Sequence, residues 1–323
     1  VSTLRRTLGT LDVTLLGVGA IIGGGIFASI GTAAVGSATR PGAGASLMVS
    51  VAITALVCLL TALCYSELAT LLPSAGSAYA YTRQAFGARL AWIMGWCLTL
   101  EYAVANVAVA ISWGDYAGAL GQSILRSCGY AVAAPSQAVT RAAGAALVLA
   151  LTLGLVYGTR TSSQLNNLFV IFKIGILVFF VALGLCLIAP QTLWANWQPF
   201  APHGAQGTLY GSAVIFFSFI GFDSVATAAE EVRDPQRSIP RGIFASLFLC
   251  AILYMAVAAV LTGAVPLPVL RARLAQAQSQ PLTAVLGLLG PRATWAQPLI
   301  AVGALVAQTT ALLAFQLAQA RIF

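Results

Sequence analysis

Gly17-Val18-Gly19-Ala20-Ile21-Ile22-Gly23-Gly24-Gly25-Ile26-Phe27 sits in the middle of an apolar run that reaches from Asp12 to Val35. A run of that length crosses a bilayer core, which takes about 20 apolar residues in a helix. Its centre is a poor helix, because each glycine costs about 1 kcal/mol against alanine in a helix interior. The stretch therefore predicts a membrane helix that breaks near Gly23. Backbone groups freed at that depth are tolerated only where protein or a water-filled cavity satisfies them, so the break implies a polar cavity beside it. Close helix packing through small residues is the other use of such glycines. A dinucleotide loop is excluded, since the spacing is G-x-G-x-x-x-G and no strand precedes it.

Outward from this stretch the same signal repeats. Further apolar segments run over Gly44 to Leu72, Ala88 to Tyr116, Arg141 to Tyr157, Ser163 to Ala189, Leu209 to Glu231, Arg241 to Val265 and Trp295 to Ala320. Of the 323 residues, 59% are hydrophobic and 7% charged, against roughly 25% charged in soluble domains. The reading is an all-α polytopic membrane protein; a β-barrel would show short alternating strands of about 10 residues instead. The stretch Ser77 to Phe86 is too short to span and amphipathic, which predicts a helix along the interface; Leu282 to Leu289 is read the same way on the other side.

The net charge of +8 comes from arginines placed singly or in pairs between apolar runs. They form no extended basic face, so nucleic acid is not implied. With the N-terminus cytoplasmic, inner loops and ends hold nine arginines and outer loops six, and the densest cluster, Arg233, Arg237 and Arg241, falls inside; that bias favours the cytoplasmic N-terminus. Arg5 and Arg6 precede an uncleaved first span rather than a signal peptide. Five of six cysteines lie within apolar runs with no C-x-x-C spacing, and the single histidine, His203, has no cysteine neighbours. Neither a disulfide framework nor a metal site is expected, and no cofactor is implied.

The sixth segment repeats the theme of the first. Phe217-Ser218-Phe219-Ile220-Gly221-Phe222-Asp223 sets a glycine and an acid inside an apolar run, so it too should unwind, with Asp223 either capping the second half-helix or acting directly. Two interrupted spans in corresponding places of two halves are the best sequence pointer to a transporter's substrate site. Lys173, the only lysine, lies amid Leu168 to Phe180, far from either end of the fifth segment. An ionisable group at that depth costs at least about 2.5 kcal/mol by insertion scales and is by default functional. An amine whose exposure alternates between the two sides couples a carrier to protons; the alternative is a fixed cation that locks helices through backbone carbonyls. Glu101 in the third segment should face the bundle interior, near substrate or as a structural partner. Glu67 is expected to cap or to pair with Arg83 or Arg89. The stretch from Ala228 to Arg241, stopped twice by proline, reads as an inner loop in which Glu230, Glu231 and Arg233 either pair as a gate or are simply solvated.

These residues resemble the amino acid, polyamine and organocation permeases, and most closely the cationic amino acid transporter family. The resemblance rests on Gly17 to Phe27, Cys64 to Glu67 with Pro73 to Tyr79, Gly95-Trp96 through Leu100-Glu101-Tyr102, Gly221 to Glu231 leading into Asp234 to Arg237, and Ala320 to Phe323, so it covers the whole chain. It implies an inverted-repeat core of five helices followed by five of opposite orientation: a first repeat over about 8–190 and part of a second over about 205–323, truncated after about eight spans. It implies an amino acid substrate whose carboxylate meets the amides around Ile22, Gly23, Gly24 and Gly25 and whose ammonium meets carbonyls near Phe217, Ser218 and Ile220. Phe217 takes the place of a family aromatic that covers the substrate. Lys173 matches a lysine of proton-coupled members, against the first and eighth helices, with Thr309 and Thr310 on the eighth-helix side. Where Gly24 stands the family often has threonine, serine or alanine.

The expected function is alternating-access transport of a cationic or small neutral amino acid across the plasma membrane, coupled to protons through Lys173. An amino acid or polyamine exchanger without proton coupling is the alternative, and a membrane sensor a more distant one. No nucleophile with its base and no phosphate loop stands in these residues to suggest an enzyme. The chain looks trimmed at both ends, and this piece alone is not expected to transport.

Overall fold

The computed structural model describes residues 8–72, 76–131, 133–157, 163–227, 231–276, 280–320 and 322. Within the described residues the chain is all helical, and seven helices are long and apolar enough to cross a membrane. They are Thr10–Val35, Gly44–Leu71, Ala88–Ser127, Gln137–Val156, Asn167–Leu187, Pro235–Gly263 and Pro291–Ala320. The sixth apolar segment lies between the fifth and sixth of these in two short helical pieces, Gly204–Phe216 and Ser224–Thr227. Counting it, the spans are named first to eighth in chain order. The first span is also broken, into Thr10–Ile21, a π-turn over Gly25–Ser29 and Ile30–Val35.

Both breaks sit at the centre of the bundle. The first span packs against the fifth, seventh and eighth, the third pairs with the eighth, and the second with the seventh. Side chains on the second, third and fifth spans that face away from these neighbours, such as Leu60, Val104 and Ile171, are exposed apolar residues. In water such a surface would drive association; in lipid it is ordinary.

Several boundaries differ from the sequence reading for identifiable reasons. The third span continues eleven residues past Tyr116 to Ser127, a length of about 60 Å at 1.5 Å per residue, so its far end rises beyond the hydrocarbon core, where polar residues no longer end a helix. The seventh span begins at Pro235, not Arg241, with Pro240 inside it. Proline at the first helical position removes an N–H that lacks a partner anyway, so Pro235 opens this helix, while Pro240 is carried inside it at the cost of one hydrogen bond of the ladder. Pro281–Leu288 is a helix, but it is buried rather than laid along the interface. Leu282, Ala284, Val285 and Leu286 are apolar on every side, and the helix packs against Ile30–Val35 and the eighth span. A helix over Leu267–Gln276 was not anticipated. Ser77–Phe86 is a helix with the expected limits.

On the N-terminal side, Leu8 pairs with Val232 in an isolated parallel bridge: Leu8 N donates to Glu231 O (3.1 Å) and Arg233 N to Leu8 O (3.1 Å). Asp12 accepts from Asn167 Nδ2 (3.1 Å), tying the start of the first span to the fifth. Glu67 is exposed and makes no ion pair with Arg83 or Arg89, which corrects that expectation; at the lipid–water boundary its carboxylate can be solvated. The one ion pair among the described residues is Arg237 with Asp234, at 4.0 Å and exposed, a geometry that contributes little. Arg5, Arg6, Pro73, Arg160, Glu230, Arg321 and Phe323 lie outside the described residues.

Candidate functional site

The helix of the first span ends at Ile21, and Ile22 turns to an extended conformation (φ −74°, ψ 90°). Past the break the chain resumes as the π-turn Gly25–Ser29, a form of helix that concentrates at functional sites. The three glycines serve close approach. A Cβ on Gly23 would lie 2.5 Å from Ala311 Cβ of the eighth span, one on Gly24 2.5 Å from Val109 of the third, and one on Gly25 2.3 Å from Ser218 Cα of the sixth. Helix breaking and small-residue packing, the two readings of the sequence, therefore operate together here.

The sixth span breaks by other means. A single 3₁₀ turn, Phe217–Phe219, leads to Ile220 in an extended conformation (φ −55°, ψ 136°), and Gly221 takes φ +112°, a conformation largely restricted to glycine. The two breaks meet: Ser29 Oγ and Ser218 Oγ are 3.1 Å apart, and Ser29 Oγ also donates to Gly25 O (2.6 Å).

Carbonyls freed by the breaks are satisfied by side chains from distant spans. Lys173 is fully buried, and its Nζ donates to Gly19 O (2.7 Å) and Ile22 O (3.1 Å). Tyr254 of the seventh span reaches both breaks, with its hydroxyl 3.0 Å from Ile21 O and 3.2 Å from Ser218 O. One phenol carries one proton, so it can serve only one of these acceptors fully at a time. Tyr116 donates to Phe27 O (3.0 Å) inside the π-turn. Tyr102 donates to the Asp223 carboxylate, and Asp223 O accepts from Ala226 N (3.0 Å) at the start of the second half-helix. The sixth-span acid is thus held by the third span.

The remaining expected residues distribute around this centre. Phe217 and Ile220 are half-buried and pack on an apolar wall of Tyr102, Ala105 and Val109 from the third span with Ala311, Leu312 and Phe315 from the eighth. Tyr102 stacks on Phe315, ring centroids 6.0 Å apart. Glu101 is half-buried and within electrostatic reach of Asp223. Thr309 and Thr310 do not hydrogen-bond Lys173. Thr309 Oγ1 accepts from Trp113 Nε1 (3.0 Å) and donates to Leu305 O (2.7 Å), locking the third span to the eighth, while Thr310 Oγ1 bonds carbonyls of its own helix, Val306 O and Ala307 O. The sequence reading missed the buried tyrosines Tyr102, Tyr116 and Tyr254 as partners. Their signal was a polar tip inside an apolar run, which a buried tyrosine must satisfy.

A bundle of this kind, all helical, multi-pass and with two interrupted spans whose breaks touch at the centre, is built as a membrane transport protein. Residues 8–323 match the family described as amino acid permease, and the chain belongs to that family. It is 37% identical over 331 residues to the methylthioribose transporter of Bacillus subtilis (strain 168), covering 99% of this chain and 67% of that protein. To the branched-chain amino acid permease BcaP of the same organism it is 38% identical over 333 residues, covering 99% and 66%. The vacuolar cationic amino acid transporter 4 of Arabidopsis thaliana is 35% identical over 327 residues, covering 99% and 52%. The chain therefore spans about two thirds of the length of these bacterial relatives and about half that of the plant one.

Proposed function

We propose that this chain is the larger part of a secondary active transporter that moves an amino acid, cationic or small neutral, through the plasma membrane by alternating access with its N-terminus cytoplasmic. The observation that carries the reading is the meeting of the two breaks, with Lys173 seated on the carbonyls of the first. The first break presents backbone amides at the start of Gly25–Ser29, which attract a carboxylate. The turn at Phe217 to Ile220 presents carbonyls that attract an ammonium. Ser218 O is shared with Tyr254, so an incoming ammonium would compete with that phenol. Substrate at the two breaks would thereby loosen one of the contacts that joins them to the seventh span. The relatives named for branched-chain and cationic amino acids support an amino acid; another is named for methylthioribose, a different cargo. In this reading 8–190 forms the first repeat and 205–323 belongs to the second.

Proton coupling is assigned to Lys173, whose ammonium form holds Gly19 O and Ile22 O and whose neutral form would hold them less strongly. A second reading, an exchanger of amino acids or polyamines with no proton requirement, is favoured by the same geometry, since two backbone acceptors are also what a fixed cation would take. Uptake of an amino acid panel into proteoliposomes by the full-length protein, with pH and sodium gradients imposed separately, tests both. Accumulation should follow an inward proton gradient and be lost in Lys173→Ala while counterflow persists. Unchanged gradient-driven accumulation in Lys173→Ala would remove the coupling role, and no transport of any amino acid would remove the proposed substrate class.

A further inference from the structure

A second polar feature lies away from the breaks, on the face opposite the N-terminus. There the far end of the third span, the buried helix Pro281–Leu288 and the start of the eighth span enclose a cavity of about 360 Å³. Its charged lining among the described residues is of one sign, Arg126 and Arg273, with no carboxylate, and Arg126 also engages a further partner. The rest of its polar wall includes Gln122, Gln280, Thr283 and Gln297. Two of these amides are fixed in place, Gln280 Nε2 donating to Asp115 O (2.7 Å) and Gln297 Nε2 to Thr283 O (2.9 Å). Arg273 is folded back over the same helix, since a Cβ on Gly287 would lie 3.9 Å from its Nη2 and 2.8 Å from Gln297 Nε2.

The backbone adds to the positive character. Gln280 caps the start of the buried helix and Thr283 lies in its first turn, where unsatisfied N–H groups and the helix dipole favour an anion. Two arginines and one helix start around a cavity match a phosphate group, which guanidinium binds in bidentate fashion. The setting points to a lipid as its bearer. Trp295 and Tyr130, both exposed, stand at this end of the bundle as interfacial aromatics do. Beside the cavity the eighth span presents exposed Leu299 and Val302, a surface for acyl chains.

We propose that this cavity binds the phosphate of an anionic phospholipid headgroup and so anchors the ends of the third and eighth spans, the pair that also walls the breaks. The test uses the full-length protein in detergent, titrated with phosphatidylglycerol, phosphatidylcholine or inorganic phosphate, with lipid occupancy read by native mass spectrometry and stability by thermal unfolding. Phosphatidylglycerol should bind in preference to phosphatidylcholine and raise the melting temperature. Arg126→Gln and Arg273→Gln should each weaken that binding about tenfold, the worth of one charge-assisted hydrogen-bonded contact, and Arg141→Gln should not. Arg126→Lys and Arg273→Lys provide the comparison if a glutamine variant does not fold, and are expected to retain binding with a smaller preference. Equal binding of the two lipids overturns the proposal. So does equal loss in Arg141→Gln, which would mark a diffuse surface effect. Stabilisation by inorganic phosphate that lipid cannot match would assign the cavity to a free anion instead.

Discussion

The first and sixth spans are both broken at mid-bundle, yet they break in different ways. In the first, three consecutive glycines remove side chains so that Ala311, Val109 and Ser218 can close on the backbone, and the freed carbonyls are taken by Lys173 and Tyr254. In the sixth, one glycine with φ +112° turns the chain, and the acid that follows is held by Tyr102. One break depends on absence of volume, the other on a dihedral angle. The difference teaches that interrupted helices of similar appearance need not tolerate the same substitutions, and that the donors which stabilise each break come from spans the breaks themselves do not specify.

That contrast can be broken most sharply at Gly25. Its neighbour is backbone, Ser218 Cα at 2.3 Å from any added Cβ, so Gly25→Leu has no flexible group to displace. Overpacking of this kind costs about 3 kcal/mol or more, and thermal unfolding should show a large fall with loss of uptake. Gly175→Ala, where an added Cβ meets nothing within 4 Å, is the control and should leave uptake unchanged and stability equal or higher by up to about 1 kcal/mol, since it replaces a glycine inside a helix. If Gly25→Leu behaved like the control, the contact between the breaks would not be structural.

A smaller effect is expected at Gly221. Alanine there keeps the turn only by holding a left-handed conformation, at about 1–2 kcal/mol, and meets Ala20 O at 2.9 Å. Gly221→Ala should therefore destabilise less than Gly25→Leu while still reducing uptake. A melting temperature equal to wild type would show that the sixth break does not need its positive φ. Tyr254→Phe is the mildest, removing one hydroxyl shared by two carbonyls at a cost of about 1 kcal/mol in stability. In the proposed mechanism it should raise the substrate affinity of the sixth-span carbonyls, because the competing donor is gone, and lower the maximal rate. Unchanged affinity and rate would confine Tyr254 to packing.

Much of the centre was legible in the sequence because its signals are local. Gly23 to Gly25 and Gly221 stand out against apolar neighbours, and Lys173 is conspicuous as the only lysine, deep in a span. Proline misleads for the opposite reason: Pro235 and Pro240 look like a loop when read without position, yet Pro235 starts a helix, because the N–H it removes is unpaired there, and Pro240 is carried inside the same helix. Leu282 to Leu289 was placed at the interface, although its apolar residues on every face called for burial. Thr309, which resemblance sets on the eighth-helix side of Lys173, is bonded to Trp113, a pairing set by how the third and eighth spans face each other.

By itself the sequence determined that the chain crosses a membrane repeatedly and where two of its helices must fail, because hydrophobic length and the backbone cost of glycine are properties of short segments. Only the tertiary structure decided which groups receive the carbonyls released at those failures. Tyr254 and Ile21 are separated by 233 residues and Tyr102 and Asp223 by 121. Hydrogen bonds over such separations depend on the packing of whole spans, which no local pattern of residues encodes.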